Sequence, residues 1–153
     1  MGLPMAPAEL QQYLHEHIPL SLAMQVSVLE LQPGSVVLGA PLAPNINHRD
    51  TVFGGSASAL AILAAWSLLH VRLSGQGLAS RLVIQRNTMH YTLPIAGEFS
   101  ARSFIASETA WQTFTRSLQR KGRARVSIAS TLIDRGRPAG HFEGEFVALG
   151  VGR

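Results

Sequence analysis

The sequence predicts an α+β domain in which an antiparallel sheet wraps around one long central helix. The length of 153 residues is that of a single domain, so we expect one domain over residues 1–153. No charged residue lies between Thr51 and Val71, and a helix over this stretch would be apolar on nearly every face. Segments on either side alternate apolar and polar residues, which is the period of a strand with one buried face. Such a helix must be enclosed by protein, and these strands are the part of the chain available to enclose it.

The first half of the chain shows helical and strand patterns separated by turn residues. Leu10, Tyr13, Leu14 and His17 recur at helical spacing, and Pro19 is expected to end this short amphipathic helix. The expected elements are a helix over 7–17, a strand over 24–31, a turn over 32–35, a strand over 36–38, a loop over 41–50 and a helix from 54 to about 73.

The second half predicts strands interrupted by one short helix. The expected elements are a strand over 82–93, a turn over 94–97, a strand over 98–106, a helix starting with a capping box at 109–112, a strand over 123–133 and a returning strand through Phe142 and Phe146. This order of elements is that of the hotdog fold. A sheet of this kind usually leaves an edge open to a second copy, so we expect a homodimer or a dimer of dimers.

Composition agrees with oligomerisation and narrows the partners. Hydrophobic residues make up 46% of the chain and charged residues 14%, which leaves few charges to cover the surface of a monomer. The formal charge of +4 suggests an anionic partner. The basic residues do not form one long run and aromatic residues are only 7%, so a phosphate-bearing small molecule fits better than nucleic acid.

Several other classes of site and location are disfavoured by the sequence. The segment from Thr51 to Val71 is long enough to span a membrane, but its Gly, Ala and Ser content and its strand-like flanks favour a buried helix of a protein without membrane spans. Residues 1–7 do not resemble a secretion signal. The chain has no cysteine, no close histidine pair at metal-ligand spacing and no HExxH motif, so no metal site is expected and a cytoplasmic location is permitted.

The loop before the long helix carries the most specific motif of the chain. Its sequence is Asn47-His48-Arg49-Asp50-Thr51-Val52-Phe53-Gly54-Gly55. It resembles the pattern Asn-x-x-Gly-x-x-His-Gly-Gly of many hotdog acyl-CoA thioesterases, with Asp50 and Phe53 in place of the glycine and the histidine. It is more similar to the signature Asn-His-x-x-Thr-x-Phe-Gly-Gly-Ser of a small family of thioesterase-like hotdog domains, some of them fused to bacterial acetyltransferases. The resemblance extends to Trp66 and to residues 111–125, and implies a thioesterase for which coenzyme A is part of the substrate and no separate cofactor is needed.

Thioester hydrolysis requires a group that stabilises the oxyanion and a group that positions or deprotonates water. Unpaired N–H groups at the start of the long helix are suited to the oxyanion, and Gly54 and Gly55 allow a carbonyl to approach them closely. Asn47 is a candidate for holding the water or the carbonyl. Thr51 and Ser56 are candidate hydrogen-bond donors to the substrate, although residues of this type at a helix start usually cap the helix. Phe53 is expected to lie at the substrate.

The general base is not fixed by the sequence. Relatives of the first pattern carry a carboxylate on the long helix seven residues after the second glycine, where this chain has Ile62. No aspartate or glutamate lies between Asp50 and Glu98. Asp50 and His48 are therefore the local candidates for the base, with Asp50 also a candidate nucleophile, and each is otherwise an ordinary polar loop residue.

Two further groups of residues are candidates for substrate binding. His90, in the strand after the long helix, is a secondary candidate for the same site, although a strand histidine is more often packed or half-exposed. Arg120 and Arg123 belong to a basic cluster around residues 116–125, which suits the phosphates of coenzyme A or is simply a solvated positive face.

Two alternatives to hydrolysis stay open. Asn45, His48 and Asp50 have the Asn-x-x-His-x-Asp spacing of a hotdog enoyl-thioester hydratase, although Ala43 and Ile46 replace two residues of that motif. The isoleucine at position 62 also permits a non-catalytic acyl-binding domain that kept the fold and lost the helix carboxylate.

Overall fold

The computed structural model describes residues 3–150, which form four α-helices, one short 3₁₀ turn and six strands. The helices are α1 (Pro7–His17), α2 (Pro19–Ala23), α3 (Gly54–Gly75) and α4 (Glu108–Lys121), and the 3₁₀ turn is Ala43–Asn45. The strands are β1 (Ser27–Gln32), β2 (Ser35–Ala40), β3 (Ser80–Tyr91), β4 (Phe99–Phe104), β5 (Arg123–Asp134) and β6 (Arg137–Gly150).

The six strands form one antiparallel sheet in the order β1-β2-β4-β5-β6-β3, and α3 lies across its concave face. The predicted hotdog architecture is therefore confirmed. Helix α3 is long and apolar enough to cross a bilayer, but here it contacts five of the six strands. Its residues Leu60, Ala61, Ala64, Ala65 and Leu69 are fully buried, as predicted for a helix enclosed by the core.

Small residues and a few polar bonds hold α3 close to the sheet. The Ser130 hydroxyl of β5 donates a 2.9 Å hydrogen bond to the Ala61 carbonyl of α3. The indole N–H of Trp66 donates to the carbonyl of Leu82 on β3 at 3.3 Å. Since both bonds run from the core helix to the sheet, they restrict how the helix slides over the strands.

Helices α1 and α4 both contact the C-terminal half of α3. On α1, Tyr13 stacks on His70 of α3 with ring centroids 4.6 Å apart, and within α3 Trp66 stacks on His70 at 4.8 Å. On α4, the Trp111 indole donates to Gln76 beyond the end of α3 at 2.8 Å. Aromatic side chains of α1 and α4 therefore contact the C-terminal half of α3 and the residue that follows it.

Helix α1 has its predicted bounds, and Pro19 follows it in the first turn of α2, a helix that was not predicted, where the missing N–H of proline costs nothing. Two predicted starts need correction. The first strand starts at Ser27 rather than at residue 24, because the chain is still turning at Gln25, whose φ is +58°. The cap of helix α4 lies two residues before the start of the proposed capping box, since the Ser107 hydroxyl accepts the bond from the Ala110 N–H.

Strand β3 forms one edge of the sheet and pairs on one side only, with β6. Apolar side chains are exposed at this edge, including Val83 at 53% and Leu149 on the neighbouring β6 at 42%. Strand β3 ends at Tyr91, beside the start of α3, so this edge of the sheet leads directly to the loop that carries the motif.

Candidate active site

The first turn of α3 presents three backbone N–H groups with no acceptor in the described part of the chain. They belong to Gly54, Gly55 and Ser56, which occupy the first three positions of the helix. Phe53 is the N-cap residue, and no side chain caps the helix. Because these N–H groups lie at the positive end of a 22-residue helix, they favour a negatively charged oxygen.

The two glycines of the motif differ in what surrounds them. A methyl group on Gly54 would lie 3.5 Å from the ring of Tyr91, which is ordinary contact. A methyl group on Gly55 would collide with the ring of Phe53, which folds back over this glycine while 56% of Phe53 stays exposed. Phe53 is thus a cover over the backbone of Gly55, next to the predicted oxyanion site.

Asn47 organises the loop that precedes the helix. Its carbonyl oxygen Oδ1 accepts the N–H of Arg49 at 2.8 Å and that of Thr51 at 3.1 Å. Its amide nitrogen Nδ2 donates to the Thr51 hydroxyl at 2.9 Å and to the Val52 carbonyl at 3.4 Å. Both ends of the side-chain amide are therefore engaged within the loop, together with the Thr51 hydroxyl. In this geometry Asn47 acts on the site through the shape of the loop.

The two candidate bases lie at the tip of this loop. His48 and Asp50 are both exposed, and neither forms a side-chain hydrogen bond or ion pair in the described residues. The backbone of Asp50 has a φ of +61°, a left-handed conformation that aspartate tolerates better than most residues. The loop therefore turns sharply at Asp50, whose carboxylate is exposed and held by no other side chain of the described residues.

An apolar pocket of about 230 Å³ opens next to the first turn of α3. Its lining comes from the loop before the helix, from the helix itself, from the segment after β3 and from β5 and β6. The lining residues are Val52, Ala57, Tyr91, Thr92, Leu93, Pro94, Ile95, Leu132 and Ala139. Since Val52 and Ala57 flank the glycine pair in sequence, the pocket and the free N–H groups belong to one site.

Tyr91 is a site residue that the sequence reasoning missed. Its hydroxyl donates a 2.9 Å hydrogen bond to the Gly54 carbonyl, and its ring packs on that glycine while lining the pocket. The sequence gives one signal for it: Tyr91 lies next to the candidate His90 in the strand predicted over 82–93. A two-residue strand period places these neighbours on opposite faces, so only one of them can face α3.

Comparison with known proteins identifies the family. Residues 7–150 match a family described as "Putative thioesterase (yiiD_Cterm)". The chain belongs to this family. The putative thioesterase from Shewanella oneidensis is 26% identical, with a TM-score of 0.85 over 94% of this chain and 96% of that one. A protein of unknown function from Chlorobaculum tepidum is 27% identical, with a TM-score of 0.89 over 94% of both chains.

A more distant neighbour supports the fold alone. A thioesterase from Haemophilus influenzae is 8% identical, with a TM-score of 0.77 over 97% of this chain and 94% of that one. As in these putative thioesterases, the antiparallel sheet here surrounds one long helix. At position 62, where the related hotdog pattern carries a carboxylate, this member of the yiiD_Cterm family has a half-buried isoleucine packed against the core.

His90 lies on the other face of the sheet from the pocket. It pairs with His141 of β6, and the next residue of each strand shows the direction: Tyr91 contacts α3, and Phe142 is buried in the core. Successive strand residues point to opposite faces, so His90 points away from α3. Within one copy of the chain, His90 is not brought together with the motif.

Arg120 and Arg123 are also distant from the motif within one chain. They lie exposed at the junction of α4 and β5, and Arg123 pairs with Leu149, which pairs with Arg81 at the start of β3. Tyr91 lies at the opposite end of that strand, roughly 33 Å away at about 3.3 Å per residue. Within one chain, these arginines are therefore not brought together with the motif.

No group of three or more metal-binding side chains occurs in residues 3–150. The pocket is lined by apolar side chains with Tyr91 and Thr92 at its rim, and none of its lining residues is a carboxylate or a histidine. A charged or titratable group at this site would therefore have to come from outside the pocket lining.

Proposed function

We propose that this chain is a cytoplasmic hydrolase of acyl-CoA or acyl-carrier thioesters that acts as a homodimer. The observation that carries the proposal is the set of three unpaired N–H groups at Gly54, Gly55 and Ser56 beside an apolar pocket. A thioester needs these two features side by side, because its carbonyl oxygen becomes negative while its acyl chain stays apolar. Membership in a thioesterase family supports the same reaction.

In the proposed reaction a water oxygen attacks the thioester carbonyl carbon. The π electrons of that carbonyl move to its oxygen, which the N–H groups of Gly54 and Gly55 stabilise. A base accepts the proton of the water, the carbon–sulfur bond breaks, and the sulfur leaves as a thiolate that takes up a proton. The products are a carboxylic acid and a thiol.

Asp50 and His48 are the proposed sources of the base. Both lie at the tip of the loop that leads into α3, and Asp50 is held in a left-handed backbone conformation there. A carboxylate at this position reaches solvent freely, which suits activation of a water molecule. The Asn47 hydrogen bonds supply the rigidity, since they fix the loop between its two ends.

Dimerisation through β3 is the proposed way to complete the site. The edge strand is long, and exposed apolar side chains occur both along it and around the helix start. The exposed apolar residues at the helix start are Ile46, Phe53, Tyr91 and Leu93. A second copy paired antiparallel at this edge would cover them and turn the open pocket into a tunnel. It would also bring the basic cluster at Arg123 of that copy toward the far end of the substrate.

Thiol release from a panel of acyl-CoA substrates tests the proposed reaction. The wild-type protein is expected to release coenzyme A from at least one chain length, measured with a thiol reagent. Asp50→Asn and His48→Ala are made separately, and the variant that removes the base is expected to lower kcat by 10²-fold or more. Arg49→Ala, a change at the exposed residue between them, is the matched control. Release of no thiol by a dimeric wild-type protein would refute the proposed reaction.

Non-catalytic acyl binding is the second candidate function, and one observation favours it. The pocket has no carboxylate or histidine in its lining, and position 62 on α3 is occupied by isoleucine. In this case the protein would bind a fluorescent acyl-CoA with a measurable Kd and release no thiol from it. Titration of binding alongside the hydrolysis assay separates the two candidates.

A further inference from the structure

The pocket beside α3 has a closed floor and an open rim. Ala57, Leu132 and Ala139 are each no more than 3% exposed and form its inner wall, whereas Tyr91 at 56% and Leu93 at 41% lie at the rim. The entrance lies at the first turn of the helix, where the Tyr91 hydroxyl bonds to the Gly54 carbonyl. A ligand that enters from the helix start therefore meets a fixed end inside the protein.

We propose that this pocket sets the acyl chain length, with Ala57 as the residue that determines it. The inference rests on the proposed thioesterase function and adds a chain-length limit to it. Ala57 lies two residues after Gly55 and is 3% exposed while lining the pocket. An acyl chain whose carbonyl is bound at the glycine pair would extend along this inner wall. A larger side chain at position 57 would project from the wall and reduce the volume that remains for the chain.

The volume of the pocket gives the expected limit. A cavity of about 150 Å³ holds benzene, so about 25 Å³ is needed for each carbon atom. At about 25 Å³ per carbon atom, the 230 Å³ of this pocket accommodates about nine carbon atoms. We therefore expect a preference for short and medium acyl chains, with an upper limit near eight to nine carbons.

The walls of the pocket are held in place by backbone hydrogen bonds. The Val52 N–H donates to the Ile95 carbonyl at 2.8 Å, which joins the motif loop to the segment after β3. The N–H groups of Thr92 and Leu93 both donate to the Ala139 carbonyl of β6, at 3.0 and 3.2 Å. Because its walls are tied to the sheet, the pocket is expected to reject longer chains instead of widening for them.

The test is the chain-length profile of Ala57→Leu. The value of kcat/KM is measured on straight-chain acyl-CoA substrates from acetyl up to about twice the expected limit of eight to nine carbons. Wild-type kcat/KM is expected to rise about threefold to fourfold per methylene and then level off near eight carbons. Leucine adds about three methylene-sized groups, so the profile should level off about three carbons earlier, and the octanoyl rate should fall on the order of 50-fold. The ratio of the octanoyl to the acetyl rate should fall on the order of 50-fold, which separates a shortened pocket from a general loss of activity.

Two other variants make the outcome decisive. Leu132→Ala enlarges the same pocket from its floor and is expected to move the limit to longer chains. Ala59→Leu, on the same helix but outside the pocket lining, is the matched control and should keep the wild-type profile. Thermal unfolding checks that each variant is folded, and Leu132→Ala carries the test if Ala57→Leu is not.

The possible outcomes separate this inference from the proposed function. Hydrolysis with a profile that neither pocket variant changes would overturn the pocket assignment and leave the thioesterase function standing. Such a result would mean that a side chain of a second copy fills the pocket. If the wild-type protein hydrolyses no substrate, the proposed function fails first, and binding of acyl-CoA of graded chain length then tests the pocket directly. Equal affinity for all chain lengths in the wild-type protein would overturn the inference.

Discussion

Replacing Asn47 is the sharpest test of how the motif loop is built. The side chain forms three hydrogen bonds between 2.8 and 3.1 Å and a fourth at 3.4 Å, all within residues 47–52. The three shorter bonds contribute about 0.5–1.5 kcal/mol each, and water replaces part of them in a half-exposed loop. Asn47→Ala is therefore expected to lower the free energy of unfolding by about 2 kcal/mol.

The aspartate variant separates the structural role of Asn47 from a catalytic one. Asn47→Asp keeps the acceptors for the N–H groups of Arg49 and Thr51, and the Thr51 hydroxyl can rotate to donate to the carboxylate. It loses only the long bond to the Val52 carbonyl, so we expect a cost of about 1 kcal/mol or less. If Asn47 acts only on the loop, kcat/KM of this variant stays within about tenfold of the wild type, whereas removal of an oxyanion donor costs about 10²–10³-fold.

Urea unfolding followed by circular dichroism measures both variants at one protein concentration. For a slope of about 2 kcal/mol per M, the alanine variant should shift the midpoint down by about 1 M without a change in slope. Asn87→Ala, at an exposed asparagine of β3, is the control and should shift the midpoint by less than about 0.3 M. An alanine variant as stable as this control would show that the hydrogen bonds of Asn47 contribute nothing, and the loop argument would fail.

Two further predictions follow from the contacts of α3. Gly54→Ala should leave the midpoint of unfolding unchanged or raise it, because the new methyl group has 3.5 Å to the Tyr91 ring and alanine favours the helix by up to about 1 kcal/mol. The same variant should lower kcat/KM, and an unchanged value would show that no carbonyl approaches this backbone. The second prediction concerns His70, whose pKa lies below its ordinary value of 6.5 mainly because the side chain is buried and secondly because His17 is charged. The folded state therefore binds fewer protons than the unfolded state, so stability is fully present above pH 6.5 and falls as the pH drops toward the lower folded-state pKa. His70→Gln should flatten this decline between about pH 7.5 and pH 5 in urea unfolding, and an equally steep decline would exclude His70 as its source.

The order of elements could be predicted because each of them carries a local pattern. The uncharged stretch after Gly54 specifies a buried helix, and the alternation in 123–133 specifies a strand with one buried face. The errors fall where a local signal has two meanings. Pro19 ends one helix and also begins another, and Ser107 and Thr109 are equally good capping residues by type, so only the packing of α4 decides between them.

The candidate site was less predictable, because side-chain direction depends on strand register. His90 and Tyr91 are adjacent, and the sequence marks only His90 as a candidate site residue. The pairing of β3 with β6 turns Tyr91 toward α3 and His90 away from it. A shift of one residue in that pairing would exchange them, and the bulge between Ile84 and Arg86 sets that register. The residue types around His90 do not predict this bulge, so the direction of the His90 side chain could not be predicted from the sequence.

The oxyanion-binding end of the motif loop and the candidate bases at its tip are positioned by different kinds of groups. The oxyanion end depends on backbone N–H groups, which any helix start presents, and here no side chain, backbone carbonyl or capping residue in the described part of the chain uses them. The base depends on side chains at an exposed loop tip, where nothing in a single chain fixes the Asp50 carboxylate or the His48 imidazole. A second copy covering Phe53 and the β3 edge would reduce the solvent around both side chains and limit their positions. We therefore expect catalytic activity to follow dimer formation, whereas the stability contributed by the Asn47 hydrogen bonds belongs to each chain alone.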